Sequence, residues 1–134
     1  MITLICGLPN AGKTTYSENY ENVIHFDDIE HHRPNEQFEK CNALAAEAQG
    51  DVCVEGVYNS VKRRKELLEA VKDKPGKRIC VWISTSAEVC VKRENRNRPV
   101  GIVFAHAMSF QPPTTDEGWD EVIEICPPQR TEKE

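Results

Sequence analysis

Five short apolar runs punctuate the chain, at residues 2–6, 23–26, 52–54, 79–84 and 122–125. The central runs are near-continuous rather than alternating, the pattern of strands covered on both faces. Helical stretches separate them. Residues 13–20 follow the first run, and residues 35–49 precede the third with Leu44, Ala45 and Ala48 on one side. Residues 61–72 carry Leu67, Leu68 and Val71 as an apolar stripe and stop before Pro75-Gly76. Residues 87–95 follow the fourth run with Ser86 placed as N-cap, and residues 100–109 read as a further helix. This alternation predicts an α/β fold with a parallel sheet and helices on both faces. Right-handed crossovers then place a ligand site at the carboxyl ends of the strands.

The chain's 134 residues fit one domain, expected over residues 1–126, with residues 127–134 as a frayed tail. No apolar run approaches the ~18–20 residues of a membrane span. The first residues lack a basic region before their apolar run, so no signal peptide is expected. Six cysteines are present without any C-x-x-C pair, and Cys6, Cys53, Cys80 and Cys126 sit inside β-branched apolar runs. They read as small buried hydrophobes of a cytoplasmic protein rather than a disulfide framework or a zinc site.

Charge changes this picture. The formal net charge is −5, which taken alone argues against a general nucleic-acid coat protein. Its distribution is uneven: Met1 to Val61 carries 3 basic and 10 acidic residues, Lys62 to Arg98 carries 12 and 5, and Pro99 to Glu134 carries 2 and 7. An acidic protein with a basic middle can hold a polyanion if that middle lines one cleft.

The segment Gly7-Leu8-Pro9-Asn10-Ala11-Gly12-Lys13-Thr14 satisfies G-x-x-x-x-G-K-[ST] between an expected strand and an expected helix. Gly7 and Gly12 permit backbone angles that side chains forbid. Loop N–H groups and the helix N-terminus then converge on phosphate oxygens. Lys13 reaches the β- and γ-phosphates, and Thr14 offers a hydroxyl to Mg²⁺. Gly7 through Thr15 therefore form the candidate nucleotide-binding set.

The second apolar run ends in Asp27-Asp28. A carboxylate just past a strand end faces the active cleft and can take a proton from a hydroxyl attacking the γ-phosphate. Asp27 is placed in that role, with an ordinary turn as the alternative. Asp28 serves as a metal ligand or caps the following turn. Glu55, ending the third run, suits a Mg²⁺-bound water or a substrate, and equally a solvated strand end. His31-His32 reads as exposed loop, and Lys62, Arg63 and Lys65 as a solvated helix face. Arg64 follows the third strand end closely enough to meet an acceptor. Arg93, Arg96 and Arg98 stand where a lid folds over the nucleotide, and lid arginines stabilise charge on the transferring phosphoryl group. Arg93 is read with the nucleotide, its stem also available for packing on the fold.

In order along the chain, Gly7 to Thr15, the run into Asp27-Asp28, Asn59 with Arg64, Glu88 to Arg96, Phe110 to Thr114 and Glu117 to Val122 resemble the P-loop polynucleotide 5′-hydroxyl kinases and their small-kinase relatives. The resemblance spans about residues 1–125. It implies an adenylate-kinase-like fold with strand order 2-3-1-4-5. It also implies ATP as donor, Mg²⁺ as metal and the 5′-OH of a DNA or RNA end as acceptor. Asp27 would be the general base, Lys13 and Thr14 the phosphate and metal residues, and Arg96 or Arg98 the lid arginine. Arg33, Asn59 and Arg64 would join Asp27 at the acceptor.

Glu30 stands where that family carries an acceptor-contacting Arg, with Arg33 nearby. This departure motivates a second reading, a kinase of a small-molecule or RNA-attached acceptor. A third reading, from another class, is a nucleotide-binding module without phosphoryl transfer. Oligomeric state is not predicted from the sequence.

Overall fold

A computed structural model describes residues 1–94 and 99–126. The expected lid arginines Arg96 and Arg98, and the tail at 127–134, lie outside the described residues. The elements run β1 (Ile2–Gly7), α1 (Lys13–Ser17), β2 (Val23–His25), α2 (Pro34–Glu47), β3 (Val52–Glu55), α3 (Val61–Ala70), β4 (Arg78–Ile83), α4 (Ala87–Lys92), α5 (Val100–Ser109) and β5 (Glu121–Ile125). Short 3₁₀ turns occupy Phe26–Asp28 and Thr115–Glu117.

The five strands form one sheet in the order β2-β3-β1-β4-β5, with every pairing parallel. Strand side chains alternate between faces, and the sheet divides its apolar residues accordingly. Ile2, Leu4, Cys6, Val52, Val54 and Cys80 pack into one layer with Cys41 and Ala45 of α2, Leu67 of α3 and Val71 just past its end. Ile5, Cys53, Val81 and Ile83 pack into the other with Ala11, Cys90 and Val103. Each large aliphatic side chain buried this way contributes ~1.5–3 kcal/mol.

Several expectations shift in detail. The first helix ends at Ser17 instead of Tyr20, because Glu18, Asn19 and Tyr20 donate to carbonyls three residues back and tighten the chain into a 3₁₀ turn. Leu44 does not join the core stripe; it is 47% exposed, while Ala45 is buried. Five cysteines are buried as expected, but Cys126 is exposed, because it lies just past the end of the edge strand β5. Burial pushes the Cys41 and Cys53 thiols up, to about 11 and about 12, which keeps them unreactive. Ser86 caps α4 as expected, accepting from the Val89 N–H. Among the described residues no helix is long and apolar enough to cross a membrane.

Candidate active site

The loop between β1 and α1 is bound tightly by its surroundings. A Cβ at Gly7 would stand 2.7 Å from the Ile83 carbonyl oxygen, so only glycine lets β1 and β4 approach this closely. Asn10 and Gly12 adopt left-handed backbone, with φ of 67° and 107°. Asn10 is held there by its side chain, whose Nδ2 donates to the Cys90 carbonyl at 3.1 Å and to Glu94 Oε1 at 2.9 Å. Thr85 Oγ1 donates to the Ala11 carbonyl at 2.7 Å, and the Arg93 guanidinium donates to the Asn10 and Ala11 carbonyls at 3.3 Å. The loop is thus clamped against α4 through its carbonyl groups.

Lys13 is buried, and its Nζ donates to the Leu8 carbonyl at 2.7 Å. Burial lowers its pKa from the ordinary lysine value, while the negative charges of Glu55 and Asp27 pull the other way. Thr14, the next residue, donates its hydroxyl to Glu55 Oε1 at 3.3 Å. Glu55 is buried at the end of β3, and His25 at the end of β2 places Nδ1 2.8 Å from the same oxygen. His25 and Glu55 are register partners on adjacent parallel strands.

A cleft of about 740 Å³ opens at the carboxyl ends of the strands and is lined by Pro9 through Tyr16 together with Asp27, Glu55, Ile83, Arg93 and Ile125. Sequence-predicted residues from four separate segments therefore share one cavity: the loop, Asp27 after β2, Glu55 at the end of β3, and Arg93 after α4. The hard oxygen donors Thr14, Asp27 and Glu55 beside a phosphate loop fit a divalent cation of the Mg²⁺ type.

Other expected site residues lie elsewhere. Arg64 is wholly buried and cannot meet an acceptor. Its Nε and NH2 donate to the two oxygens of Glu117 at 2.8 and 3.0 Å, NH1 donates to the Tyr58 carbonyl at 2.8 Å, and NH2 also donates to the Gln111 carbonyl at 2.6 Å. Trp119 Nε1 completes the cluster by donating to Glu117 at 3.0 Å. The Phe110–Glu117 part of the family-like signature is therefore a clasp on α3. Asn59 does not line the cleft; its Nδ2 donates to Ser109 Oγ at 2.9 Å and its carbonyl accepts from the Gln111 N–H. Arg33 is exposed and faces Glu36 at 4.0 Å, away from the cleft lining. Asp28 is exposed and borders a separate shallow groove with Ile29, Glu30 and Leu44, so it is not placed beside Thr14. Arg63, expected on a solvated face, covers the Phe38 ring at 4.1 Å and donates to Asn35 Oδ1 at 2.6 Å.

Sequence reasoning missed three contributors: His25, Thr85 and Glu94. For His25 a signal existed, since the order 2-3-1-4-5 sets the second and third strands side by side and so pairs their terminal residues. The contacts of Thr85 and Glu94 depend on how α4 docks on the loop, which no local pattern encodes.

No family model and no curated protein matches this chain. Its fold is nonetheless shared with solved structures. Kti12 from Chaetomium thermophilum, in complex with ADP-AlF3, is 12% identical with a TM-score of 0.73, over 94% of this chain and 89% of its own. A gluconokinase from Sinorhizobium meliloti 1021 is 15% identical with a TM-score of 0.67, over 95% of this chain and 83% of its own. A sugar kinase from Janibacter sp. HTCC2649 is 13% identical with a TM-score of 0.68, over 96% of this chain and 87% of its own. These likenesses establish the fold alone, a five-stranded parallel sheet in the order 2-3-1-4-5 between helices.

Proposed function

We propose that this chain is a Mg²⁺- and ATP-dependent phosphotransferase acting on a hydroxyl acceptor. The observation that carries it is the meeting of Lys13, Thr14, Asp27, Glu55 and Arg93 in one cleft at the strand ends. The similar fold of Kti12 in complex with ADP-AlF3 supports a nucleotide at this loop.

Lys13 exchanges the Leu8 carbonyl for phosphate oxygens when a nucleotide enters, and this relieves a charge otherwise held in a dry setting. Arg93 faces the same cavity from the α4 side and adds positive charge near the phosphates. Thr14 and Glu55 are the residues that would hold the metal. Bound Mg²⁺ supplies neutralisation of the charge on the β- and γ-phosphates. Asp27 accepts the proton of the attacking hydroxyl and orients its oxygen toward the γ-phosphate.

The acceptor reading drawn from the ordered motifs is a 5′-OH nucleic acid end. A specific observation favours a second, a small polyol-like acceptor: Arg64 is withdrawn into the core, and Arg33 and Asn59 are absent from the cleft lining. Both readings use the same donor site. Incubation with γ-labelled ATP, 5′-OH DNA and RNA oligonucleotides and a panel of sugars and sugar acids separates them. Label on oligonucleotide ends establishes the first, and label on a small alcohol the second. Absence of transfer to every acceptor, with nucleotide still bound, would leave a binding module instead of a kinase.

A further inference from the structure

Two donors from different parts of the chain converge on one oxygen of Glu55. Thr14 Oγ1 approaches Oε1 from the phosphate loop, and His25 Nδ1 approaches it from the neighbouring strand. The second contact follows from strand register. Residues paired across parallel β2 and β3 project from the same sheet face, so His25 has Glu55 as its lateral neighbour. A carboxylate only accepts, so Nδ1 is the protonated ring nitrogen in this contact. With both donors on Oε1, Oε2 is the oxygen available to a further donor.

A glutamate has three side-chain torsions, and freezing them on each binding event costs free energy. Partners behind a metal-holding carboxylate freeze it in advance, and their removal typically lowers metal affinity by ~10–100-fold. His25 has the geometry of such a partner. Its side chain is 35% exposed while that of Glu55 is 7% exposed, so the contact is partly sheltered from water. The Thr14 hydroxyl donates its proton to Glu55 and so keeps its lone pairs for a cation.

We propose that His25 is the positioning residue that holds Glu55 for the Mg²⁺ of a bound nucleotide. This rests on the kinase reading above, and the role exceeds the packing of an edge strand. The test is calorimetric titration of ADP with Mg²⁺ and ADP with EDTA into wild type, His25→Ala, His25→Phe and His25→Asn. Wild type should bind ADP more tightly with Mg²⁺. His25→Ala and His25→Phe should reduce that Mg²⁺ advantage about tenfold or more, with metal-free affinity held within about twofold. His25→Asn, whose Nδ2 replaces the donor, should restore most of the advantage. Should His25→Ala fail to fold, His25→Phe keeps a packed ring without a donor and carries the comparison. An undiminished Mg²⁺ advantage in His25→Phe, an equal loss with and without Mg²⁺, or no recovery in His25→Asn overturns the assignment alone. A wild type that binds no ADP overturns the kinase reading, and the assignment falls with it.

Discussion

Arg64 and Glu117 meet inside the fold as a bidentate pair, 0% and 3% exposed at their side chains. Taking such charges out of water is costly, and the pair is tolerated because every side-chain nitrogen and oxygen of it has a hydrogen-bond partner. Removing one partner strands the other. Arg64→Met should therefore lose ~3–5 kcal/mol of stability, and Glu117→Leu a similar amount, in urea unfolding followed by circular dichroism. The double variant should recover a large part of either loss. Equal additive losses would show that the two residues act independently.

Asp27→Asn separates binding from chemistry. The amide keeps the shape but accepts a proton poorly, so phosphoryl transfer should fall ~10²–10⁴-fold while ATP affinity changes little. Single-turnover kinetics and a binding titration read the two effects separately. A normal transfer rate would remove Asp27 from the base role.

Lys13 predicts a conflict between stability and function. A lysine held below its ordinary pKa weakens the fold wherever it is charged. The penalty is complete below the folded-state pKa and vanishes as pH rises to the ordinary value of 10.5. Lys13→Met should raise the Tm of the nucleotide-free protein by a few degrees near neutral pH, since ~1 kcal/mol moves Tm by ~2–8 °C in small domains. That gain should shrink as the buffer becomes strongly alkaline. The same variant should lose nucleotide binding.

Gly7→Ala forces a Cβ toward a backbone oxygen at 2.7 Å, and neither side can swing away. Overpacking of this kind costs ~1–3 kcal/mol and should spread the β1–β4 junction that carries the loop. Nucleotide affinity should fall at least tenfold. Gly101→Ala is the control: nothing lies within 4 Å of its added carbon, and alanine in α5 should stabilise by ~0.5–1 kcal/mol. Comparable outcomes for the two variants would refute the steric argument.

The sheet was legible because its central strands are buried on both faces and so spell themselves as unbroken apolar runs, as in Ile2 to Cys6. The phosphate loop was legible because glycine is required by a close approach and a left-handed turn at fixed spacing. Asp27 was legible because strand ends in a parallel sheet point into one cleft. Arg64 misled for an electrostatic reason: an arginine among Lys62, Arg63 and Lys65 looks solvated or ligand-facing, and its partner Glu117 lies 53 residues away. Nothing local announces that pairing. Asn59 was displaced in the same way by a nonlocal contact, to Ser109, whereas Arg33 faces Glu36 three residues on.

The central position of β1 has a consequence during synthesis. Ile2 registers with Val52 on one side and with Arg78 on the other, so β1 is made before both of its neighbours and waits for them. At ~5–20 residues per second, the later neighbour arrives ~4–15 s after β1. Until β4 is made, an unbroken apolar strand lacks its partner on that side, a natural substrate for a holding chaperone. Nascent chains arrested just past Glu55 should remain open to protease at β1, and those arrested well past Ile83 should become resistant.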